Sequence, residues 1–141
     1  MSIFRRLPLF LMELIPVVQE SSLLQMTEML LEYVEISDSR YKKVKETGEK
    51  GDFYNDVKPF ADDVKSINDR WKEEAREWIS IHKPRNLYPQ QIDSASEHIE
   101  MVSIQSFFPD ASRTRFINYV NSAVYVLKQL IILLTEEKKG T

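Results

Sequence analysis

An all-α fold, an up-and-down antiparallel four-helix bundle with an N-terminal extension, is predicted by three features of this sequence. Apolar residues recur at alternating steps of three and four, polar or proline-containing breaks separate four such blocks, and glycine is scarce. The clearest block reads Phe53, Val57, Phe60, Val64, Ile67, Trp71. Such steps return to one side of an α-helix about every 3.5 residues, as a seam between packed helices requires. Three glycines and six prolines in 141 residues supply too few tight turns for a β-rich fold. Short connections make consecutive helices antiparallel neighbours.

Residues 1–18 read as the extension and residues 19–141 as the bundle, with helices at about 21–46, 52–82, 89–107 and 111–138. The first helix carries Leu23, Thr27, Leu30, Val34, Ser37, Tyr41 and Val44 as its stripe, with Glu28, Glu32 and Glu35 roughly opposite. Ser21 or Ser22 can cap its start, because a hydroxyl accepts a bond from a free N–H of the first turn. Thr47-Gly48-Glu49-Lys50-Gly51 breaks it. Asp52 is a good cap for the second block, but Pro59 lies too deep for one continuous helix from there. The expected solution is a short turn at 52–57 and then the main helix, with Pro59 in its first turn. Pro89 suits the first position of the third helix, whose stripe is Ile92, Ala95, Ile99, Val102 and Ser106. The fourth starts near Asp110 or Ser112 and carries Phe116, Val120, Ala123, Leu127, Leu130 and Leu134. Tyr41, Trp71, Trp78 and Phe116 are expected as bulky core elements, with Thr27, Ser37, Ala75, Ala95 and Ala123 making room for them.

Composition narrows the function. The absence of cysteine excludes disulfides, thiolate catalysis and thiolate metal sites, and is compatible with a reducing cytosol. A formal net charge of −3 gives no global attraction to nucleic acid or an anionic membrane. Met1 to Arg6 is basic and Leu7 to Val18 mostly apolar, which superficially resembles a secretory signal. Glu13 and Pro16 interrupt that run, no small-x-small cleavage site comes after it, and the run falls short of the roughly 20 residues that span a bilayer. The expectation is a cytoplasmic protein with no membrane span, in which the extension packs on the bundle or reflects a misassigned start.

One likeness extends along most of the chain. Asp52-Phe53, Val57-Lys58-Pro59, Arg70-Trp71, Lys83-Pro84, Gln91-Ile92, Gln105-Ser106 and Arg115-Phe116 occur in order and at suitable spacing. From about Gln19 to Glu137 the chain thereby resembles the YppE-like family, small Firmicute proteins of unknown function. The resemblance implies a four-helix bundle and supplies no activity, cofactor or partner. Residues 1–18 fall outside it.

The residues themselves carry no catalytic constellation. Bundle metal sites use inward glutamates and Glu-x-x-His motifs, yet Ala95 stands three residues before His98 and Ile79 three before His82. No Ser-His-Asp arrangement is suggested, and Gly48-Glu49-Lys50-Gly51 does not make a phosphate loop. No catalytic residue, cofactor or metal ligand is therefore assigned. Two surfaces remain. In helices 2 and 3 the stripe accounts for most apolar residues, but Met29 and Ile36 on helix 1 and Tyr125 and Ile132 on helix 4 fall outside it. An apolar excess of this kind must be covered by the N-terminal segment, a second copy or another protein. At one pole, Arg40, Lys42, Lys43, Lys45, Arg113 and Arg115 gather as candidate anion ligands for an acidic or phosphorylated partner. Glu46, Glu49, Asp52, Asp56 and Asp110 at the same pole offset them. The reading is a non-catalytic bundle that works through a protein partner or a weak homodimer, with no nucleic acid. A small-molecule- or metal-binding bundle is the alternative.

Overall fold

The computed structural model describes residues 15–140, with side chains from Ser22 to Glu136. The elements are α1 (Ile15–Thr47), a single π-helical turn (Phe53–Val57), α2 (Lys58–His82), α3 (Pro89–Gln105) and α4 (Arg113–Gly140). Consecutive helices pack side by side, α4 closes the ring on α1, and α1 also meets α3 across the diagonal. The result is the up-and-down antiparallel four-helix bundle that the spacing predicts.

The helix starts and stops obey local chemistry. Gly48 adopts a left-handed φ of 74°, and its N–H closes α1 on the Val44 carbonyl at 2.8 Å. Asp52 caps the π turn by accepting the Asn55 N–H at 2.7 Å, while its own N–H reaches the Asp56 carboxylate at 2.9 Å. The Val57 and Lys58 amides bond five residues back, to Asp52 and Phe53. The wide turn places Pro59, which has no N–H to give, in the first turn of α2, where such groups lack intrahelical partners anyway. The same extra width breaks the three-four step, so Phe53 projects into solvent although it opens the clearest stripe. Lys83, with a φ of 47°, ends α2, and the Tyr88 N–H donates to the Gln91 side chain ahead of Pro89.

One end differs from expectation. Ser21 and Ser22 lie inside α1 rather than at its start, and Pro16 occupies its first turn, where proline is tolerated. The longer helix has about the same reach as α4. Tyr41 stacks on Phe116 with centroids 4.0 Å apart. From that contact α1 extends twenty-six residues back to Ile15 and α4 twenty-four residues on to Gly140. The remainder of the extension, residues 1–14, and its suggested packing on the bundle lie outside the described residues.

The core is the set of stripes. Tyr41, Trp71, Trp78 and Phe116 are buried, and Thr27, Ser37, Ala75, Ala95 and Ala123 are buried beside them. Thr27 does more than save space: its hydroxyl donates to the Leu23 carbonyl at 2.7 Å and accepts the Trp71 indole N–H at 3.0 Å. A buried indole is thereby satisfied across α1 and α2. Val44, at the end of the α1 stripe, is only half-buried.

Candidate functional site

The pole that gathers the basic residues is built by the ends of α1 and the π turn and by the connection between α3 and α4. A backbone bond from Gly51 N–H to Phe107 O, 2.9 Å, ties the two connections together. Gly51 is required there, because a Cβ would stand 2.8 Å from Phe107 Cδ1. Tyr41 donates its hydroxyl proton to the Ala111 carbonyl. Arg40 turns inward: its guanidinium lies 4.2 Å from the Phe60 centroid and 4.0 Å from that of Phe107, and it donates to the Ser106 hydroxyl at 3.1 Å. Burial lowers this guanidinium from its ordinary value, opposed by nearby Asp56. Arg40 thus serves as a tie among α1, α2 and α3, which removes it from the set of free anion ligands. Lys42 pairs with Asp38 at 3.0 Å, and Lys45 sits 5.8 Å from the Tyr41 ring. Lys43, Arg113 and Arg115 are exposed and, among the described residues, form no ion pair. The basic set is therefore divided between structural ties and dispersed surface charges.

The four apolar residues outside the stripes are exposed: Met29 by 43%, Ile36 by 39%, Tyr125 by 59% and Ile132 by 50%. They occupy two faces. Tyr33 packs edge-on against Phe60 of α2, centroids 5.5 Å apart. Met29 and Ile36, four residues before and three after Tyr33, therefore lie on the flank of α1 that meets α2. Tyr125 and Ile132 flank Lys128 on the outer face of α4. Exposed apolar side chains are not confined to these helices, contrary to the sequence expectation: Phe53, Tyr54, Ile81, Tyr88 and Ile104 are exposed as well. Most sit on the turns that open or close α2 and α3, where periodicity no longer dictates facing.

Both histidines pack against aromatic rings. His98 stacks on Tyr119 at 4.7 Å, and His82 stacks on Trp78 at 4.4 Å while its Nδ1 lies 2.9 Å from the Trp78 carbonyl. Among the described residues, no three histidine or carboxylate side chains converge as metal ligands would. Three buried polar residues, Asn68, Ser96 and Ser103, escape the sequence reading. Asn68 is fully buried and donates to the Ser96 carbonyl at 2.9 Å, joining α2 to α3. A signal for Asn68 exists, since Val64, Asn68, Trp71, Ala75 and Trp78 keep an alternating four-three step, as the series through Ile67 also does. A further feature without a sequence signal is Glu74, whose carboxyl is held above its usual range by burial, partly offset by Arg70.

The family model of a bacterial domain of unknown function, DUF1798, matches residues 27–133. The chain belongs to this family. DUF1798 relatives agree in sequence and in shape. The uncharacterised protein YppE of Bacillus subtilis is 28% identical over 106 residues, which are 75% of this chain and 86% of YppE. A Listeria innocua protein of unknown function superposes with a TM-score of 0.82 at 28% identity, over 86% of this chain and 98% of that one. The crystal structure of Bacillus subtilis YppE gives a TM-score of 0.81 at 26% identity, over 84% and 97%. The matched DUF1798 span holds Met29, Ile36, Tyr125 and Ile132 as well as the pole, whereas the first three turns of α1 precede it. One helix of the bundle, Arg113–Glu136 of α4, is long and apolar enough to cross a bilayer by composition. Here its stripe from Phe116 to Leu134 is buried in the core.

Proposed function

We propose that this DUF1798 protein is a non-catalytic helical bundle of the cytoplasm that works by holding another protein against its surface. The observation that supports the reading is the disposition of apolar side chains. The stripes already fill the core, and yet Met29, Ile36, Tyr125 and Ile132 stand exposed on helices that contribute full stripes of their own. Residues that neither pack nor solvate well are where a protein surface gains most from being covered.

Site-specific photo-crosslinking in the native host tests this. A photoreactive residue at position 29, 36, 125 or 132 of the full-length chain should trap one discrete protein. The same residue at the solvated positions Glu73 and Ser94 should trap none. Equal crosslinking at all six positions, or none at any, would overturn the proposal. A crosslink only between two copies of the chain would replace the partner by a homodimer.

A further inference from the structure

The two exposed faces are chemically unlike, and the one between α1 and α2 says more about what would cover it. Its floor is apolar: Met29, Tyr33 and Ile36 from α1, and Phe60 and Ile67 from α2, all part-exposed. α1 shares a longer seam with α4 than with α2, so this flank is the more open side of the first helix. The walls are acidic. Glu32 precedes Tyr33, and Asp63 lies three residues beyond Phe60. Both are near enough to the Tyr33 hydroxyl that, after burial, their charges are what hold it above the usual tyrosine range. Glu74, one further heptad along α2 from Ile67, continues the line. The cations on these faces stand toward its two ends, with exposed Lys43 one heptad beyond Ile36. Arg40 is drawn onto Phe60 and Phe107 at the upper end, and Arg70 lies toward the other end, where it acts on Glu74.

An apolar floor between two helices, walled by carboxylates, matches one kind of ligand: an amphipathic helix with large apolar residues on one face and lysine or arginine beside them. Floor and walls make separable contributions. Burial of apolar side chains would set most of the affinity, whereas the walls would select the sign of the partner's charge and make the association rate depend on salt. The seam is also long enough. Met29 and Ile36 are seven residues apart, two helical turns, and Phe60 and Ile67 repeat that spacing on α2.

We infer that the α1–α2 seam of this protein, floored by Met29, Tyr33, Ile36, Phe60 and Ile67 and walled by Glu32 and Asp63, is a docking groove for a basic amphipathic helix of another protein. The inference rests on the protein-contact reading above and narrows it to one face and one partner chemistry.

The test uses the full-length chain and two synthetic 18-residue helices with the same leucine face, one with lysine and one with glutamate on the polar side. Fluorescence anisotropy should show the lysine helix binding and the glutamate helix at least tenfold weaker, with the difference shrinking as salt rises. Met29→Glu with Ile36→Glu should weaken the lysine helix tenfold or more, as should Glu32→Lys with Asp63→Lys. Tyr125→Glu with Ile132→Glu should leave binding unchanged, and circular dichroism should show every variant folded. Equal binding of both helices, or loss only on changing Tyr125 and Ile132, overturns the groove. Crosslinks from positions 125 and 132 but not 29 and 36 would keep the contact function and discard the groove. If Arg5→Glu with Arg6→Glu strengthens peptide binding tenfold, the chain's own amino terminus competes for the seam, and the assignment to another protein falls.

Discussion

The seam between α2 and α3 and the seam between α1 and α2 are held by different means. On the first, polar links lie at the surface and just beneath it. Arg76 pairs with Asp93 and also reaches the Pro89 carbonyl, Lys65 reaches Glu100 at 3.5 Å, and Asn68 bonds Ser96. On the second, no ion pair crosses between the described side chains. Contact is made by aromatic rings, by Arg40 on Phe60, and at depth by the bond from Trp71 to Thr27. A seam joined at its surface is closed by charged pairs along its rim, although Asn68 Oδ1 and Asp93 Oδ1 lie buried there without a hydrogen-bond partner. A seam joined by rings and one buried bond holds its helices together while leaving apolar edges part-exposed.

Substitutions can break this contrast, the deepest first. Trp71→Ala removes the shared core residue together with its bond to Thr27 and should cost about 3–5 kcal/mol, a large part of a domain's stability, as measured by denaturant titration. Arg40→Ala deletes the contacts with two rings and a charged bond to Ser106, and about 2 kcal/mol should be lost. Hydrogen exchange should then show faster opening of the turn around Phe60 and Phe107, with the middle of α3 unchanged. Arg76→Ala should cost about 0.5 kcal/mol, since an exposed pair in water is worth little. If Arg76→Ala were the more damaging of these two substitutions, surface links rather than buried ones would hold the bundle.

Glu74 sharpens the comparison through pH. Its folded pKa lies above its ordinary value of 4.5, with burial as the main cause. A carboxyl shifted this way favours the folded state fully below the unfolded value, and the benefit disappears as pH rises through the folded one. Glu74→Gln should therefore flatten the dependence of melting temperature on pH in that window and leave the dependence elsewhere as it was.

The three-four spacing makes the bundle legible because side chains at those steps have no option but to share a face. It identifies the buried Tyr41, Trp71 and Phe116 correctly. It misplaces the beginning of α1, because Pro16 and the adjoining apolar run resemble a separate segment, although a first turn tolerates proline. Asn68 is missed because asparagine reads as solvent-facing, although its position fits the stripe. Arg40 reads as a surface cation because a sequence cannot show a long side chain folding back onto rings from two other elements. The floor of the α1–α2 seam needs pairing information that no single helix contains.

The bond between Gly51 and Phe107 has a mechanical consequence. It locks the two connections at one pole, where Arg40 and Tyr41 add their own ties, so the helices cannot slide apart there. The opposite end of the α1–α2 seam, toward Trp78, has no matching backbone tie between connections among the described residues. A helix docked in the proposed seam would therefore meet its firmest wall at the end nearest Arg40, where backbone and side-chain ties coincide.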